Sequence, residues 1–173
     1  MTTTIEGDPA SCSSLALSLH RAATALRSEA DRLTVAVTHA REDLGGRSGT
    51  ALRRRSDALA EQCRAAAEVL AATGRDLQHH ASDLAELAGR ARALTELAEQ
   101  HGLRADAGGV APQWGITGEA DAGRTAQQRQ LADHLESQFR TLQILATRRR
   151  DALTAAMAQA TEALTRSADI ISR

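Results

Sequence analysis

The sequence predicts an all-α protein, an elongated antiparallel helical hairpin plus a third long helix that together form a three-helix coiled-coil-like bundle. Three observations predict it. The 173 residues are rich in Ala, Leu, Arg, Glu and Gln but include one Phe, one Trp and no Tyr, too few strand-forming residues for a sheet. Proline occurs only at Pro9 and Pro112, so the stretches between are free to be helical. A heptad also runs unbroken from Leu52 to Ala98. One register reads Leu52, Leu59, Ala66, Thr73, His80, Leu87, Leu94, and the other Ser56, Cys63, Leu70, Leu77, Leu84, Ala91, Ala98. Such spacing draws one stripe on a helix, and a strict repeat asks that stripe to follow a partner helix. At 1.5 Å per residue the stripe is about 70 Å long.

Each element has its own signals. Residues 1–7 read as a flexible tail. The hairpin spans 8–101. Its first helix starts at Asp8-Pro9, a capping residue followed by a proline suited to the first turn, or else after Ser11. Its apolar stripe is Leu15, Leu19, Ala22, Leu26, Ala30, Leu33, Val37, Ala40, Leu44. Gly45-Gly46 stops it, and Ser48 is placed to cap the second helix. A turn at 45–46 makes the two helices antiparallel, pairing positions whose numbers add to about 91. The second helix carries the heptad to His101-Gly102, with Gly74 as an interruption costing about 1 kcal/mol. The shorter first helix covers it only to about Asp83, which leaves Leu84, Leu87, Leu94 and Leu97 to be covered by something else.

Residues 102–123 form a glycine-rich loop, long enough to suggest function. It holds Trp114 beside Ile116. Trp114 reads either as a pin over the end of the bundle or as an anchor for a partner. The last helix, within 124–173, carries Leu131, Leu135, Phe139, Leu142, Leu145, Arg149, Leu153, Met157, Ala160, Leu164, Ala168 and Ile171. Arg149 falls on the stripe, where the seven-residue register shifts. A snorkelling arginine or a bend is expected there. The first half of this helix should run back along the second helix and cover its bare end.

Charge and motifs exclude several classes. Twenty-one Arg and no Lys balance 22 acids, for a net charge of −1. Arg53-Arg54-Arg55 and Arg148-Arg149-Arg150 sit among acids and point in different directions on a helix, so no nucleic-acid face is expected. Much Ala and Arg with no Lys or Asn points to a GC-rich genome. The start shows no secretory signal and no stretch spans a membrane. A cytoplasmic protein is expected, with export by a signal-peptide-independent route left open. The hairpin register separates Cys12 and Cys63 by about 24 Å, far beyond a disulfide, and Cys63 reads as a small core residue. Cys12 falls near His79 and His80, but their spacing matches no zinc signature. His80 on the seam suits a polar layer that fixes register. No metal or other cofactor and no catalytic site are expected.

Residues 8–101 resemble the WXG superfamily of helical hairpins carried by type VII secretion systems of actinobacteria and their relatives. Asp8-Pro9 matches the lead-in. Leu44-Gly45-Gly46 occupies the Trp-x-Gly turn, with Leu in place of Trp. Where the family carries a Tyr-x-x-x-Asp/Glu export signal, this chain reads His79-x-x-x-Asp83. The resemblance implies a non-enzymatic protein that pairs with another helical chain as a homo- or hetero-oligomer, engaging type VII secretion machinery as substrate, partner or adaptor. With no Tyr at the signal, either a partner supplies it or the chain is not exported. The alternative is a self-associating coiled-coil scaffold unrelated to secretion. Under either reading the expected partner-binding residues are Leu84, Leu87, Leu94, Trp114 and Ile116.

Overall fold

A computed structural model describes residues 7–40, 46–106, 109–112 and 122–172. Its elements are α1 (Pro9–Ala40), α2 (Gly46–Gln100), β1 (Leu103–Asp106), β2 (Gly109–Pro112) and α3 (Ala122–Ile171). Of the described residues 91% are helical, with α1 packed on α2 and α2 on α3. The all-α class and the three long helices are as the sequence predicts. Ser48 is not a cap, because α2 starts at Gly46, whose φ of 81° suits a glycine at the turn. Among the described residues no helix is long and apolar enough to cross a membrane.

The chain divides into two compact units. One comprises Ala10–His79 with Ala152–Arg173, the other His80–Asp151 with the chain start as far as Pro9. In the first unit α1 meets α2 along small residues. A Cβ built on Gly74 would stand 3.2 Å from the carbonyl oxygen of Ala16. Ala23, Ala67 and Ala71 cluster with Leu26 and Leu70. The numbers in Ala16/Gly74 and Ala23/Ala67 each add to 90, an antiparallel register that puts Ala30 opposite Ala60. All six positions are buried. The expected α1 stripe is therefore displaced: Leu15 is 44% exposed and Ala22 is also exposed, whereas Ala16, Ala23 and Ala30 are buried. The cause is the close approach that alanine permits. The smallest residues take the contact line, and Leu19, Leu26 and Leu33 straddle it half-buried. Arg27–Glu68 at 2.8 Å and Arg64–Asp31 at 3.0 Å run along one flank. Being exposed, each contributes at most about 1 kcal/mol. In this unit α3 turns a half-buried stripe inward at Leu153, Met157, Ala160 and Leu164, while Ala168 and Ile171 are exposed.

In the second unit α2 and α3 run antiparallel around a larger core of Leu87, Ala91, Ala98, Leu135, Phe139 and Leu142. Leu87, Leu103 and Leu135 are fully buried, each contributing about 1.5–3 kcal/mol. The expectation that α3 covers the far end of α2 is met. Gly7, at φ 136°, lies against Leu84: a Cβ there would come within 2.9 Å of Leu84 Cδ1. The end of α2 tightens through bonds from the His101 and Gly102 amides to the Ala98 and Glu99 carbonyls, with Gly102 at φ 69°.

The segment 102–123 is not all loop. Leu103–Asp106 and Gly109–Pro112 pair antiparallel, Leu103 opposite Pro112 and Asp106 opposite Gly109. Aromatic scarcity argued against any sheet, yet this one needs few apolar residues. Leu103 and Ala105 point inward into the helical core and Arg104 points outward, so the helices supply what the hairpin lacks.

Candidate interaction surface

The expected site residues meet different fates. Leu84 and Leu87 are buried, 5% and 1% exposed. Leu87 belongs to the core with α3, so in this arrangement the chain itself occupies it. Leu94 is only partly buried at the edge of that core. Leu44, Gly45, Trp114 and Ile116 lie outside the described residues. His79 is exposed on α2. Asp83 faces Arg149 at 3.2 Å. Arg149 Nη1 is buried and makes no hydrogen bond of acceptable angle, so the pair attracts through charge rather than through a directed bond. This is how the arginine is accommodated on the stripe of α3. His80 is 9% exposed. Cys12 and Cys63 are free thiols, both half-buried.

Leu94 opens onto a groove of about 440 Å³ between α2 and α3. Three stripe residues, Leu94, Leu142 and Leu145, form its apolar floor, with Ala93 beside them. The groove exists because the antiparallel pair turns its buried stripes toward each other and toward the β-hairpin, whose Leu103, Ala105 and Val110 pack on that core. Leu94 and Leu145 lie at the edge of the contact and keep part of their surface. On the α2 lip Arg90 is paired with Glu86 four residues earlier. On the α3 lip the Gln138 side-chain amide donates to His134 Nε2 at 2.7 Å, since an amide nitrogen can only donate and the ring nitrogen must accept. Ser137 and Thr141 add hydroxyls.

These lining residues can bury apolar side chains and exchange hydrogen bonds with whatever lies across them. The lining holds no carboxylate, and the His134 imidazole that shares it with the Ser137 and Thr141 hydroxyls is hydrogen-bonded to Gln138. Among the described residues no group of three or more His, Cys, Asp or Glu is placed to hold a metal ion. Sequence reasoning named Leu94 but missed the α3 side of the groove. The signal was present in the i, i+3/i+4 ladder of uncharged polar residues beside Leu142 and Leu145. No family model, curated protein or solved structure matches this chain.

Proposed function

We propose that this chain is a non-enzymatic helical interaction protein that pairs with another helical protein, as a substrate, partner or adaptor of type VII secretion. The observation that carries the pairing is the half-open groove floored by Leu94, Leu142 and Leu145. An apolar floor between two helices, rimmed by polar side chains, is a shape that can seat side chains of a partner helix. The secretion context rests on the likeness of residues 8–101 to WXG hairpins, with Asp8-Pro9 leading in and Gly46 at the turn. On this reading the chain is made in the cytoplasm and any export needs no cleaved signal. The alternative, a self-associating scaffold outside secretion, is favoured by the same groove and needs no second protein.

The test is affinity capture of the tagged full chain from its own cells, grown with the secretion machinery expressed and read by mass spectrometry. Recovery of a small helical partner or a secretion ATPase, lost when Leu94 is changed to Glu, is the expected result. Recovery of the chain alone would overturn the secretion reading.

A further inference from the structure

We infer that the chain start is a strap that closes the seam of α2 at Leu84 and withholds that leucine from a partner. This deepens the proposed function, because it rests on the α2 stripe being a surface for pairing. The observation is a gap in the cover of α2. Ala16/Gly74 and Ala23/Ala67 fix a register whose numbers add to 90. Continued to Pro9, where α1 begins, that register ends at Ala81. The core shared with α3 takes up again at Leu87. Leu84 lies between the two and belongs neither to the cluster around Ala23 nor to that around Leu87. It is nevertheless buried.

Gly7 stands over this gap. A Cβ built there would lie 2.9 Å from Leu84 Cδ1, 3.5 Å from Cδ2 and 3.8 Å from Cγ, so the whole end of the leucine faces the Gly7 backbone. Reach explains the fit. Gly7 and Asp8 lie outside any helix, and two residues of chain can span up to about 7 Å. A helix rises that far in about four residues, which carries the chain start from the level of Ala81 to that of Leu84. The φ of 136° at Gly7 belongs to a region that glycine enters readily. A side chain at this position is therefore opposed twice, by its own backbone and by Leu84. The grouping of the chain agrees, since the residues up to Pro9 belong with His80–Asp151 rather than with the rest of α1.

The consequence is control of access. Elsewhere the seam is held by side chains packed in clusters. At Leu84 the cover is the backbone of a short lead-in, and segments with few apolar contacts open at the lowest free energy. A partner helix that seats a side chain on Leu84 must first lift the strap, so the chain's own start competes with pairing.

The experiment is thiol labelling of the full chain carrying Cys12→Ser, Cys63→Ser and Leu84→Cys, with a chromogenic aromatic disulfide as reagent. The strap predicts slow labelling. It predicts a rate roughly tenfold higher or more when residues 1–7 are removed, or when Gly7→Val blocks the close approach. Leu87→Cys in the same background is the control. It belongs to the core with α3, so neither change should alter its rate. Fast labelling of Leu84→Cys in the full chain overturns the inference, and so does a rate that neither change raises. An equal gain at Leu87→Cys also overturns it, because the unit as a whole has then loosened. Pairing is decided separately, by affinity capture with the full and the shortened chain. A partner recovered in greater amount by the shortened chain supports the strap as a brake on pairing, and equal recovery overturns that role. If neither chain captures a protein, the pairing reading falls while labelling still decides the strap.

Discussion

Two glycines inside α2 have opposite surroundings. Gly89 has open space where a Cβ would be, with nothing within 4 Å. Gly74 faces the Ala16 carbonyl at 3.2 Å and Leu19 Cβ at 3.7 Å. In sequence both look like helix interruptions, each costing about 1 kcal/mol relative to alanine. The structure separates them. Gly89→Ala should recover that amount, about 1 kcal/mol of stability, because its methyl meets only solvent. Gly74→Ala should recover none of it and should destabilise, because the obstacle is backbone on α1 and cannot rotate away. Urea unfolding of the two variants decides the point through their midpoints at unchanged slope. Equal gains at both positions would show that α1 yields, and that the small-residue layer at Ala16/Gly74 is not a constraint.

At the scale of elements, α2 was the most legible part of the chain and α1 the least. The heptad of α2 is a property of one strand of sequence, and its positions are buried or half-buried nearly throughout; Leu52, 44% exposed, departs. The stripe of α3 was equally plain from Leu131 to Leu164, including Arg149 and its need for a partner. On α1 the leucines suggested a contact line through Leu15 and Ala22, whereas the helix is rotated to put Ala16, Ala23 and Ala30 in contact. Hydrophobic periodicity weights large residues, but interhelical distance is set by the small ones. Nothing in α1 alone says which of the two will rule, because the answer depends on finding Ala60, Ala67 and Gly74 at matching spacing on α2. The β-hairpin escaped notice for a related reason: its inward pair, Leu103 and Ala105, is apolar enough only because a helical core is waiting for it. The rotation of α1 is testable. Ala23 is fully buried and clustered with Ala67 and Ala71, so Ala23→Leu forces the helices apart and should cost about 1–3 kcal/mol. Ala22→Leu, one residue away and exposed, should stay within about 0.5 kcal/mol of the parent. Thermal unfolding of the pair gives the order. A larger loss at Ala22 would restore the leucine-centred stripe.

Across the whole chain, the candidate surface was only partly legible because burial along α2 is decided by residues far away in sequence. Leu84, Leu87 and Leu94 looked equally bare from the hairpin alone. In the folded chain Gly7 lies on Leu84, α3 takes Leu87 into its core, and Leu94 is left at the edge. Which leucine remains open follows from the rotation of α3 about its axis, a tertiary quantity that no local pattern encodes. The same dependence means that residues 8–101 are not self-sufficient here, although they have the length of a helical hairpin. The cluster around Leu87, Ala91 and Ala98 draws Leu103 from β1 and Ala132, Leu135, Phe139 and Leu142 from α3. Ending the chain at His101 would return Leu87, Ala91, Leu94 and Ala98 to water, at about 25 cal/mol for each Å² of apolar surface uncovered. The buried Leu87 and the half-buried Leu94 would then lie on one exposed stripe, with a helix end no longer held by packing. The truncated chain should therefore lose helix beyond about Leu84, or bury the stripe by associating with itself. Circular dichroism and sedimentation of the truncated and full chains at matched concentration distinguish the two responses. A truncated chain that remains monomeric, with α2 fully helical to Gln100, would show that α3 is not what stabilises the end of α2. In that case the groove beside Leu94 would belong to a detachable arm rather than to a fixed surface.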